Sequence, residues 1–162
     1  MKKFFVLIVV LLTSGTLYAA ESTRFITKVK LPSGQTAVVS EGDNKARSIG
    51  SFKLRVYDTA PPADATTFFS RGLVHARNQV IDKVVLSDVV GDQQPEIIVI
   101  IRVIGTEKYL SAHAFVIDKQ GLRLSVSVEG LPPDADPIEA IKKSRQSEIA
   151  ALSRLSLKTV IL

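Results

Sequence analysis

The chain has 162 residues, no cysteine, a hydrophobic fraction of 46% and a formal net charge of +5. That length suits one domain and hardly two. The missing cysteines exclude disulfides, thiol nucleophiles and thiolate metal sites, and with them the lipidated cysteine of a bacterial lipoprotein. Charges of both signs are mixed along the chain and form no basic run, which argues against nucleic-acid binding.

Met1-Lys2-Lys3 is a basic start, Phe4 to Leu12 is apolar, and Thr13 to Ala20 is a small-residue exit. These are the parts of a secretory signal, and the expectation is that residues 1–20 are removed on export. The apolar core falls well short of the roughly twenty residues that a spanning helix needs. Cleavage after Ala19 and after Ala20 both fit. Loss of Lys2 and Lys3 leaves a mature chain of about +3, free in its compartment, with a bacterial periplasm as the expected destination. Residues 21–162 then form a single β-rich domain, large enough to be held by its own core.

From Arg24 to Glu129 the chain reads as short strands divided by turn signals. Phe25 to Leu31 ends at Pro32-Ser33-Gly34, and Thr36 to Ser40 ends at Glu41-Gly42-Asp43-Asn44. Ser48 to Tyr57 alternates apolar Phe52, Leu54 and Val56 with Lys53, Arg55 and Tyr57, and Gly50 suggests a bulge near its start. Pro61-Pro62 interrupts regular structure. Thr67–Ala76, Val80–Asp88, Glu96–Ile104, Tyr109–Asp118 and Leu122–Val128 complete the strands. Ile97 to Ile101 is an unbroken β-branched run, which predicts a central strand covered on both faces. Asp118-Lys119-Gln120-Gly121 reads as a tight hairpin with Gly121 at positive φ. About eight short strands with close turns predict a mainly β fold, an antiparallel sandwich or barrel.

Asp136-Pro137-Ile138-Glu139 is a helix start: a capping side chain, proline in the first turn, and Glu139 three residues after the cap. Ile138, Ile141, Ile149, Leu152 and Leu155 fall mostly on one face. The spacing predicts one C-terminal amphipathic helix from about Pro137 to Leu152, covering a sheet face or edge. Leu155 to Leu162 fits either a last strand or a frayed end.

Chemistry-bearing motifs are few. His75 and His113 each lie inside a strand, away from other nitrogen ligands, and read as structural residues. There is no nucleophile elbow, glycine-rich phosphate loop or dinucleotide fingerprint. Asp88 to Glu96 faintly resembles a calcium loop, but Val90 replaces a ligand and Gln93 takes the place of the turn glycine. A polar turn between strands is the preferred reading, with a calcium-stabilised structural domain as the rival. No catalytic residue, cofactor or metal is expected.

Four segments together resemble the periplasmic inhibitors of i-type (invertebrate) lysozyme. They are Glu41 to Phe52 with Arg55-Val56-Tyr57; Gly91 to Glu96 leading into the apolar strand; Arg102 to Phe115; and Gly130-Leu131-Pro132-Pro133-Asp134-Ala135-Asp136-Pro137. The resemblance implies a β-sandwich-like, non-enzymatic periplasmic domain that can form a homodimer. It also implies an exposed loop that enters the lysozyme cleft, carrying a Ser-Gly-x-Tyr motif. The matching positions here are Thr106, Glu107, Lys108 and Tyr109. Tyr109 agrees and Thr106 keeps the hydroxyl, whereas Glu107 replaces glycine with bulk and negative charge. Asn44-Lys45-Ala46-Arg47 also departs from a more acidic, proline-bearing pattern.

Lysozyme clefts hold two carboxylates, so a plug should present donors and cations. Gly105, Thr106, Lys108, Tyr109 and, just beyond the loop, Ser111 are the candidate partner-binding residues, with i-type lysozyme the expected partner. The plain alternative is that Gly105 to Lys108 is only a hairpin turn. The rival function is a non-catalytic envelope module for another protein or a glycan.

Overall fold

The computed structural model describes residues 24–42, 49–103, 105 and 108–160, with side chains through residue 152. The expected signal segment and the departure at residues 44–47 lie outside them. Eight strands and one helix follow in order: β1 (Ile26–Lys30), β2 (Thr36–Glu41), β3 (Gly50–Tyr57), β4 (Phe69–Arg77), β5 (Val80–Ser87), β6 (Glu96–Arg102), β7 (Leu110–Asp118), β8 (Gly121–Leu131) and α1 (Pro137–Val160). Each run of four strands is an antiparallel meander. Sheet A has the order β1-β2-β3-β4 and sheet B the order β5-β6-β7-β8. The two are open sheets packed face to face, so of the two architectures the sequence allowed, the sandwich forms and not the barrel.

Strand alternation explains the layering, because successive side chains point to opposite faces. Ala37 and Val39 of β2, with Phe52, Leu54 and Val56 of β3, point inward from sheet A. Ile97, Val99 and Ile101 of β6 and Phe115 of β7 meet them from sheet B. The other side of sheet B packs Ile98, Ile100, Ala112, Ala114 and Val126 against Ile141 of α1. The apolar run of β6 is therefore covered on both faces, by sheet A and by the helix.

Asp136 caps α1 as expected, its Oδ1 accepting the Ile138 amide at 2.8 Å. The helix lies against β7 and β8. It buries Ile141 and half-buries Ile138, but Ile149 and Leu152 stay exposed. Among the described residues, the apolar stripe read from the sequence is thus buried only in its first turns. The helix also runs to Val160, so the tail is neither a strand nor a frayed end over that span. No proline or glycine falls between Ile138 and Val160 to stop it.

Irregularities fall where the apolar pattern does not announce them. Sheet A is irregular at Val56/Tyr57, where Ser70 of β4 has no partner, and not at Gly50, where the sequence suggested a bulge. The hairpin at Asp118 forms as read: Asp118 pairs with Gly121, which has φ +122°. The seam between the sheets holds a fully buried ion pair. Arg77 lies 3.6 Å from Glu41 Oε1, and both side chains are 0% exposed. Glu41 also accepts the amides of Phe25 at 3.2 Å and Ile81 at 3.5 Å, tying the start of sheet A to the start of sheet B.

Candidate binding loop and the cleft beside it

The β6–β7 connection begins where Arg102 pairs with Leu110, and the Val103 amide then donates to the Tyr109 carbonyl at 2.9 Å. Arg102 is fixed from the side. Its Nε and Nη2 meet the two oxygens of Asp82 at 3.2 and 3.0 Å. Asp82 is the unpartnered residue of the β5 irregularity between Ile81 and Lys83, so the bulge itself delivers the carboxylate to the loop base. That bond raises the Arg102 pKa further.

Of the sequence-derived candidates, Gly105 and Lys108 are exposed, and Tyr109 is 41% exposed despite its bulk. Ser111 is half-buried in β7 opposite Ile101. Thr106 and Glu107 lie outside the described residues. Gly105 has φ +146°, a conformation that side-chain-bearing residues rarely adopt.

Alternation along β7 sorts these residues. Leu110, Ala112 and Ala114 point toward α1. Tyr109, Ser111 and His113 point the other way and line one cleft of about 370 Å³, together with His75, Asn78, Gln79 and Glu129. Tyr109 is thus the outermost member of a ladder that begins in the core. The cleft exists because β8 gives way: register between β7 and β8 slips between Leu110 and Ala112, leaving Glu129 and Gly130 unpaired, with Gly130 at φ +67°. The bulge places Glu129 in the cleft wall.

The histidines read as structural from the sequence, and their packing agrees. Their rings lie 4.8 Å apart, and the His75 ring also meets Phe52 at 5.3 Å and Phe115 edge-on at 5.4 Å. His113 is buried and shares a 2.9 Å hydrogen bond with Ser127. Burial, with the neighbouring His75, pulls its pKa down to about 4. Burial also lowers that of His75, against a raising influence from Glu129. Both rings are therefore neutral near pH 7. His75 and Glu129 border Tyr109, a neighbourhood the sequence reading missed. Gly130, following Glu129 at the end of the last apolar run, was the available sign of a bulge.

The acidic turn is occupied by its own backbone. Asp88 accepts the amides of Gly91 at 2.6 Å and Gln93 at 2.9 Å, Asp92 accepts Gln94 at 2.8 Å, and buried Glu96 accepts Val89 at 2.9 Å. These bonds hold the Asp88 carboxyl below its usual range. Burial pushes that of Glu96 up. Among the described residues no group of carboxylates and imidazoles could hold a metal ion.

A family model described as periplasmic lysozyme inhibitor of I-type lysozyme (PliI) matches residues 23–145. The chain is 42% identical to the PliI of Aeromonas hydrophila in a crystal structure with a TM-score of 0.67, covering 72% of this chain and 98% of that one. A second structure, the same inhibitor in complex with Meretrix lusoria lysozyme, matches at 42% identity and a TM-score of 0.67, covering 73% of this chain and 95% of that one. A search of curated proteins gives no match.

Proposed function

The chain belongs to the family of periplasmic lysozyme inhibitors of I-type lysozyme, and we propose that it acts by seating the β6–β7 connection in the enzyme's cleft with Tyr109 as the anchor. Its role is binding, not catalysis: it is a periplasmic inhibitor whose partner is I-type lysozyme.

The observation that carries the placement is Tyr109 itself. A large aromatic stands 41% exposed on a loop whose base is pinned by Val103 and by the Arg102–Asp82 pair. Rigid aromatics on supported loops are the side chains that dominate binding hot spots, because little rotamer freedom is lost when they seat. The Lys108 ammonium and the Tyr109 and Ser111 hydroxyls are donors suited to a cleft that holds two carboxylates. Thr106 adds another hydroxyl from the sequence, and Glu107 opposes the same cleft unless it points outward.

Inhibition of an I-type lysozyme by purified protein, followed as loss of turbidity of a cell-wall suspension, tests this. Tyr109→Ala should raise the inhibition constant about thirtyfold, as loss of about 2 kcal/mol does. Equal inhibition by wild type and variant, with matching circular dichroism, would move the site elsewhere. Glu107→Gly restores the motif residue and should strengthen inhibition if Glu107 faces the cleft.

A further inference from the structure

The outer face of sheet A, turned away from sheet B, carries charge of one sign. Register puts Lys28 of β1 beside Val38 and Arg55, and Ser40 beside Lys53 and Val74, so Lys28, Lys30, Lys53 and Arg55 share that face. No carboxylate stands among the outward residues of the four strands. Asp58, which follows β3, is engaged at the strand end by Gln35 Nε2 at 3.1 Å.

Aromatic surface is built into the same face. A Cβ added to Gly72 would meet the Phe69 ring at 3.2 Å and Arg55 Cγ at 3.3 Å, so both side chains lie across that glycine. Phe69 stands edge-on to Tyr57 at 5.9 Å and remains exposed, as do Ile26 and Val74. The cation stems cover what apolar surface they can: Val38 is buried although it points outward.

We propose that this face docks on peptidoglycan, the polymer that lysozyme cleaves. The polymer offers groups that the face can use: stem-peptide carboxylates for Lys28, Lys30 and Arg55, and sugar rings for exposed Phe69. A second copy of this chain would set cations against cations. Docking through sheet A leaves the β6–β7 loop, which belongs to sheet B, free to meet an arriving lysozyme and raises the inhibitor's local concentration at the substrate. The proposal takes the periplasmic location from family membership, and its test contains no lysozyme, so failure here leaves the inhibition reading untouched.

Purified peptidoglycan sacculi should pull down the protein recovered from the periplasm at low salt and release it by about 0.5 M NaCl, where exposed charges are screened within a few ångströms. Lys28→Glu with Lys30→Glu should weaken that binding at least about tenfold. Lys119→Glu with Lys143→Glu makes the same change in net charge away from sheet A and should leave most of it. Should the first pair fail to fold, Lys28→Gln with Lys30→Gln replaces it, with a smaller expected loss. The proposal is overturned if wild type does not sediment with sacculi, if binding survives 0.5 M NaCl, or if both reversals weaken it equally. Binding to phosphatidylglycerol vesicles in preference to sacculi, or self-association through these residues, would overturn it in favour of that other occupant.

Discussion

Val99→Ala and Ile98→Ala, made separately, ask whether β6 is covered on both faces. Val99 is 0% exposed and lies in the layer between the sheets, with Phe52 and Leu54 of sheet A and Phe115 of its own sheet. Ile98, also 0% exposed, faces Val126 and Ile141 on the helix side. Val99→Ala removes two buried carbons, about 1.6 kcal/mol of transfer free energy at about 0.8 per methylene. The cavity left in a packed layer brings the loss to about 2–3 kcal/mol. Ile98→Ala removes three carbons and should cost about 3–4 kcal/mol by the same reasoning. Val74→Ala, on the exposed outer face of sheet A, is the control and should stay within about 0.5 kcal/mol. Urea melts followed by circular dichroism should show lower midpoints at unchanged slope for the two core variants. A loss below about 0.5 kcal/mol at either core position would refute two-sided burial and leave β6 with one face open.

His113 makes stability depend on acid. Its folded pKa lies at about 4, below the unfolded value of about 6.5, so the unfolded chain takes up the proton first. Stability is therefore complete above pH 6.5 and falls toward pH 4, by about 1–2 kcal/mol between pH 6.5 and 5, and melting curves of His113→Gln should be flatter across that window. Arg102→Gln removes the side support of the loop: inhibition should weaken while stability, for a half-exposed pair, drops by less than about 1 kcal/mol, and unchanged inhibition would show that the pair does not position the loop. Asp88→Ala strips two amides of their acceptor and should lower the melting temperature, whereas excess calcium or chelator should leave the wild-type midpoint where it is; a calcium-dependent rise would revive the metal reading of that turn.

The fold was legible wherever side-chain period alone decides the outcome. Period two in Phe52, Leu54 and Val56, the unbroken run of β6, and the Asp136-Pro137 cap each point to one local structure, and each forms. What was not legible depends on partners distant in sequence. Whether eight strands close into a barrel depends on how β4 and β5 part, which involves Glu41 reaching Arg77 and Ile81 across 36 and 40 positions. The helix stripe looked usable through Leu152, but among the described side chains Ile141 is buried and Ile138 half-buried, whereas Ile149 and Leu152 are exposed. The site was half legible. Family resemblance pointed to Tyr109 as a candidate, while the cleft beside it follows the bulge at Glu129-Gly130, and the support of the loop base follows the one at Asp82, neither of which an apolar pattern marks.

Those two bulges bear on why a loop motif could change at Glu107 without loss of its setting. Tyr109 is aimed by three constraints that do not involve the residues between Gly105 and Lys108. Its carbonyl is held by the Val103 amide, its neighbour Leu110 is locked into the layer beneath α1, and Arg102 is gripped by Asp82. Strand alternation then fixes the direction of the ring: with Leu110 pointing to the helix, Tyr109 must share the side of Ser111 and His113. On the proposed reading, substitution at the loop tip therefore alters what is presented to a cleft but not where Tyr109 stands. On that argument Tyr109→Ala with Glu107→Gly should lose about as much inhibition relative to Glu107→Gly as Tyr109→Ala loses relative to wild type, the two effects adding within about 0.5 kcal/mol. A coupling above about 1 kcal/mol in this double-mutant cycle would mean that residue 107 helps to seat the ring, and that the loop base does not aim it alone.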